Sequence, residues 1–101
     1  MTATVYATFP NATEAERIGR LMVERGLAAC VNILPSCRSI YRWEGAVETA
    51  DEAPALFKVE EGRAEALVQA IVAEHPYDVP AVVVWPASHA PAPFEQWLAS
   101  A

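Results

Sequence analysis

A proline inside a strand removes a ladder donor, so it is tolerated only at an edge, at a first residue or at a bulge. This chain carries two such prolines in otherwise strand-like runs, Pro35 and Pro54. They lie nine residues to either side of Glu44-Gly45, a dipeptide suited to a two-residue hairpin turn. Folding the chain at that turn sets Trp43 opposite Ala46 and Pro35 opposite Pro54. The expectation is one long hairpin, bent where the prolines meet. A turn at Pro35-Ser36 with two short hairpins is the alternative, but it makes the symmetry of the prolines about Gly45 an accident.

The remaining segments arrange themselves around this hairpin. Thr4–Phe9 is rich in β-branched and aromatic residues and reads as a first strand. Pro10-Asn11 ends it, Asn11 is placed to cap a helix, and Glu14 stands where a capping-box carboxylate belongs. That helix runs to about Arg25, with Ala15, Ile18, Leu21 and Met22 as its apolar stripe and Gly26 as the residue after its end. The hairpin takes Leu27–Leu34 and Cys37–Trp43 outward, then Ala46–Glu48 and Ala53–Glu60 on the return. Gly62 opens a second helix that buries Ala64, Leu67, Val68, Ile71 and Val72 and stops before Pro76. Pro80–Trp85 is the last main strand. A proline-rich connector, Pro86–Pro93, leads to a short terminal helix over Phe94–Leu98.

The order β-α-β-β-α-β predicts an α+β, ferredoxin-like antiparallel sheet with both helices on one face. At 101 residues and 53% hydrophobic, the chain makes one packed domain, 1–101.

Composition excludes several roles. The net charge is −6 and the 7 basic residues are scattered, so no phosphate-backbone partner is expected. No apolar run could span a bilayer, and Met1–Thr4 lacks a basic or apolar leader, so the expected compartment is the cytosol, without membrane association. The two cysteines, Cys30 and Cys37, are not spaced as a dithiol motif and are expected to be reduced, Cys30 as a small buried hydrophobe. No nucleophile triad, phosphate loop or carboxylate pair stands out; His89 and the pairs Asp51-Glu52 and Glu60-Glu61 read as solvated. The chain is not expected to be an enzyme.

Two short helices cannot cover a hairpin that outruns its sheet. The arm Cys37–Asp51 places Cys37, Ser39, Tyr41 and Trp43 on one face and Ile40 on the other. An exposed edge so apolar invites pairing, and a closed ring of copies satisfies it without propagating a fibre. A homo-oligomer is therefore expected; the alternative, a hairpin folded back on the open face of its own sheet, leaves Pro35 and Pro54 unexplained.

Leu27-Ala28-Ala29-Cys30-Val31-Asn32-Ile33, Ser39–Glu48, Lys58, His75-Pro76-Tyr77-Asp78-Val79-Pro80 and Phe94-Glu95-Gln96-Trp97-Leu98 together resemble the CutA (CutA1) divalent-cation tolerance family. The likeness runs in order over nearly the whole chain. It implies a fold similar to PII signalling proteins, a stable homotrimer, and an association with copper or another divalent cation. It also implies a metal ligand at His75. This chain has Ala7 and Glu74 where some members have a cysteine and a second histidine, Val59 in place of a common threonine, and Phe94 in place of a tyrosine.

The candidate metal residues are thus His75, Glu74 beside it and Cys37 at the bend. A lone histidine lacks a full first shell, and the alternative for His75 is a turn residue bonding a nearby carbonyl or carboxylate. Tyr41, Trp43, Lys58 and Tyr77 are candidates for an inter-subunit pocket, in which a basic group among aromatics suits a small anion. Their alternative is interface packing. Three roles follow: a metal-tolerance trimer, a PII-like small-molecule sensor, or a structural scaffold.

Overall fold

A computed structural model describes all residues, 1–101. Five strands and three helices follow one another as β1 (Thr2–Phe9), α1 (Ala12–Glu24), β2 (Cys30–Ile33), β3 (Cys37–Trp43), β4 (Ala46–Glu60), α2 (Ala64–Glu74), β5 (Val82–Pro86) and α3 (Ala92–Ser100). A single 3-10 turn, Glu61–Arg63, leads into α2. The antiparallel sheet has the order β2-β4-β1-β5, and β3 pairs with the outer half of β4.

Strand alternation divides the sheet into a covered face and an open one. Ala3, Val5, Ala7 and Phe9 of β1 and Ala53, Ala55, Phe57 and Val59 of β4 are all buried. They meet Ala15, Ile18 and Met22 of α1 and Ala64, Leu67 and Ile71 of α2. Val72, expected on that face, is 44% exposed. It directly follows Ile71 on α2, and at 3.6 residues per turn adjacent positions point about 100° apart. Gly19 lets α1 approach β2, since a Cβ there would lie 3.1 Å from a Val31 methyl.

Local chemistry explains the boundaries. The Asn11 side chain accepts the Glu14 backbone N–H at 2.9 Å, capping α1. The second half of the expected capping box does not form, because the Glu14 carboxylate turns to Arg17 at 2.9 Å, which lowers its pKa. Gly26 follows α1 with φ +71, as expected of a helix-ending glycine. β2 starts later than predicted, at Cys30, because Leu27 and Ala28 donate back to the carbonyl of Met22 to close α1.

The long hairpin forms as expected. Its tip, Glu44-Gly45, has φ values of 49 and 83, the left-handed pair that a type I′ turn requires. Trp43 faces Ala46, and the register holds to Cys37 opposite Glu52. Beyond that point it shifts. Ile33 faces Ala55, so three residues separate β2 from β3 where only two separate Ala55 from Glu52. One extra residue on this side makes a bulge. The expected opposition of Pro35 and Pro54 is corrected accordingly. Leu34 takes the place facing Pro54 and donates to its carbonyl at 2.9 Å, while Pro35 lies in the bulge. Within a strand residue the N and C=O point to the same side, so Pro54's missing donor also falls in this gap.

The bulge reconciles the register of the arm, set at the Glu44-Gly45 turn, with that of β2. A one-residue slip would flip all of β3. In the register of the arm, Cys37, Ser39, Tyr41 and Trp43 share the open face with Glu52, Ala50, Glu48 and Ala46. The arm gives the molecule its length, with principal extents of 45 × 26 × 23 Å.

Candidate functional site

His75 ends α2 in an extended conformation, φ −71 and ψ 138, and turns inward. It is 8% exposed. Its ring stacks on Phe9 at 4.8 Å and meets Tyr77 at 4.8 Å. Nε2 lies 2.7 Å from the carbonyl oxygen of Thr8, which can only accept, so Nε2 carries the hydrogen. Nδ1 accepts the backbone N–H of Tyr77 at 3.1 Å. Both ring nitrogens are therefore engaged, and the ring joins β1 to the loop after α2.

Glu74 points elsewhere. Its carboxylate lies 3.5 Å from Arg17 and 3.9 Å from Arg25. Cys37 makes only a weak sulfur contact, 3.8 Å to the Ser39 hydroxyl. The three candidate donors do not come together, and no group of three or more His, Cys, Asp or Glu side chains does so anywhere in the chain.

A cleft of about 640 Å³ opens instead between the arm and the loop after α2. Tyr41 and Trp43 line it from β3, Glu48 and Glu52 from β4, and Tyr77 and Asp78 from the loop. Tyr77 fixes the loop by donating its hydroxyl to Glu52 at 3.0 Å. Burial pushes the Tyr77 phenol up to about 12, with Glu52's hydrogen bond and charge adding to it. Tyr6, on the same face, is also raised, first by burial and then by Cys37 and Glu52.

Three of the four expected pocket residues meet here, and Lys58 does not. It stands six residues beyond Glu52 along β4, about 20 Å away at the rise of a strand. There it faces Cys30 and Thr4 and bonds the side chain of Asn32. The cleft holds three carboxylates and one guanidinium, Arg42, so its charge is opposite to that expected from a lysine among aromatics. Glu48, Glu52 and Asp78 are the lining groups that the sequence reading missed. The hairpin register carried the signal for two of them, since Glu48 faces Tyr41 and Glu52 faces Cys37.

The raised phenol sets a pH dependence. The folded pKa of Tyr77 lies above its ordinary 10.0. The native state therefore holds the proton more tightly, and the stabilisation is complete below pH 10 and lost as pH rises to about 12. Denaturation midpoints are expected to fall across that window. Tyr77→Phe is expected to remove this step, and ultraviolet titration of the phenolates would follow it directly.

The family model described as CutA1 divalent ion tolerance protein matches residues 3–101. The chain belongs to the CutA1 family. A CutA homolog of Xenopus laevis is 39% identical over 92% of this chain and 62% of its own length. The human protein CutA is 37% identical over 92% of this chain and 52% of its own length. The chain thus spans about half to three fifths of these relatives. A divalent-cation tolerance protein CutA of Pectobacterium atrosepticum, 36% identical, is covered over 86% of its length. Among solved structures, CutA of Archaeoglobus fulgidus superposes with a TM-score of 0.95 at 32% identity, covering 99% of this chain and 97% of that one. CutA1 of Thermus thermophilus gives 0.92 at 38% identity, covering 97% and 95%.

The divalent ion in the CutA1 family name finds no ready shell within one copy of this chain. His75 has no uncommitted nitrogen, and the ligand types that suit such an ion are dispersed. No helix is long and apolar enough to cross a membrane.

Proposed function

We propose that this chain serves divalent-ion tolerance as a cytosolic homotrimer, acting by binding and not by catalysis, with its ligand site in the cleft beneath the hairpin arm. The observation that carries this reading is the convergence of Tyr41 and Trp43 with Tyr77 and Glu52 around one cavity. The arm supports the assembly. Its outer face exposes Ile40 and Val47, and its cleft face leaves Tyr41 and Trp43 nearly half exposed. A ring of copies covers such a ribbon and closes. The inter-subunit pocket expected for Lys58 requires that lysine to come from a neighbouring copy. Two free thiols, Cys30 and Cys37, suit a reducing compartment.

Copper enters this reading through Cys37. Both nitrogens of His75 are engaged and Glu74 lies between two arginines, whereas Cys37 makes only one weak contact, and a thiolate suits a soft cuprous ion. One thiolate is not a shell, so the other ligands come from further copies. Anaerobic calorimetry with cuprous ion checks this. Cys37→Ser is expected to abolish the saturable heat and His75→Asn to keep it. Heat that disappears in His75→Asn and survives in Cys37→Ser would return the site to the histidine.

The cleft also favours the small-molecule-sensor reading over that of a bare scaffold. A thermal-shift screen without metal should find a metabolite that stabilises the native protein and has no effect on Trp43→Ala. A screen in which nothing acts, together with no copper heat, leaves a structural trimer.

A further inference from the structure

Three features of the cleft bear on the class of its occupant. The first is size: 640 Å³ suits an organic molecule and far exceeds one ion. The second is its walls. Tyr41, Trp43 and Tyr77 present aromatic side chains, which attract cations and pack against methylene stems. The third is charge. Arg42 opposes Glu48, Glu52 and Asp78, so an anion would enter against the field. These carboxylates do not converge, which removes a metal shell but not a chain of separated positive charges. Glu48 and Glu52 share one face of β4, about 13 Å apart along the strand. No salt bridge engages Glu48 or Asp78 within the chain.

We propose that this cleft binds an aliphatic polyamine, its ammonium groups meeting Glu48 and Glu52, its methylene stem lying on Tyr41 and its Glu48 end against the Trp43 ring. The inference rests on the reading of the cleft as the ligand site, and it adds the ligand's class and sign.

Calorimetric titration of the full chain with spermidine, and separately with citrate, tests it. Spermidine is expected to bind saturably, weakening about tenfold in Trp43→Leu and severalfold in Glu48→Gln and in Glu52→Gln. Glutamine at 52 retains an acceptor for the Tyr77 hydroxyl, and thermal melts of all three variants should match the native protein. Citrate binding that depends on Trp43, without spermidine binding, overturns the polyamine assignment and leaves the cleft as the ligand site. Spermidine binding that is equal in all variants reports the acidic surface in general and overturns the assignment. Binding of neither probe overturns the assignment, and the site reading then falls or stands on the metabolite screen above.

Discussion

His75→Ala should lower the unfolding free energy by about 3 kcal/mol, although no metal is present. The loss has two sources. The ring fills the space between Phe9 and Tyr77, and removing it leaves a cavity in a buried aromatic stack. It also leaves the Thr8 carbonyl and the Tyr77 N–H without partners, and each unpaired buried group costs about 1–3 kcal/mol. Two partial replacements separate these bonds. Asn is expected to restore the contact near Tyr77, and Gln the longer one to Thr8. Urea denaturation at neutral pH with a chelator present measures all three variants. A His75→Ala protein as stable as the native one would mean that the ring is a spectator in the fold.

The effect should reach the cleft. Tyr77 is held at its backbone by His75 and at its hydroxyl by Glu52. Loss of the first tie leaves the loop wall attached by a single exposed bond. Amide exchange around Tyr77 and Asp78 should quicken in His75→Ala more than in Tyr77→Phe.

This double attachment shows where sequence reasoning stops. The hairpin was legible because its signals are properties of single residues: Gly45 tolerates positive φ, and Pro35 and Pro54 cannot donate. The helix ends at Asn11 and Gly26 were legible for the same reason. The one-residue bulge was not. A break at the prolines is visible in the residues, but the count of residues across it depends on how β2 and β4 settle against the core. Nor were the partners of His75 legible. One is the carbonyl of Thr8, 67 positions away, and a carbonyl looks the same on every residue. Within one copy, Lys58 stands apart from the cleft for a geometric reason. It shares the open face with Glu52, but sharing a face sets no limit on separation along a strand, and six residues carry it out of reach.

The second large effect concerns assembly. Replacing Ile40 and Val47 together by lysine is expected to dissociate the proposed trimer, and the mass from light scattering should fall from three chains to one. Both side chains stand on the outer face of the arm, 70% and 64% exposed. They lie on β3 and β4 as diagonal neighbours, Ile40 opposite Thr49 and Val47 opposite Arg42. Lysine there adds like charges beside Arg38 and Arg42 and makes burial of this face costly. The core contains neither residue, so the monomer should keep its circular dichroism spectrum. Retention of the trimeric mass would exclude this face from the contact. Ser39→Lys, on the cleft face, gives the comparison.

Residues 34–36 have a meaning that their modest appearance hides. Along β3 the cleft chemistry and the assembly chemistry are written in alternate letters, Tyr41 and Trp43 for one and Ile40 for the other. The Glu44-Gly45 turn sets the phase in which those letters are read, and the extra residue absorbs the difference between that register and the one in which β2 meets β4. Deleting it would leave that lettering intact, because the Glu44-Gly45 turn and the unbroken β4 hold Tyr41 opposite Glu48; what would change is the bend at which the arm leaves the sheet, and with it the width of the cleft.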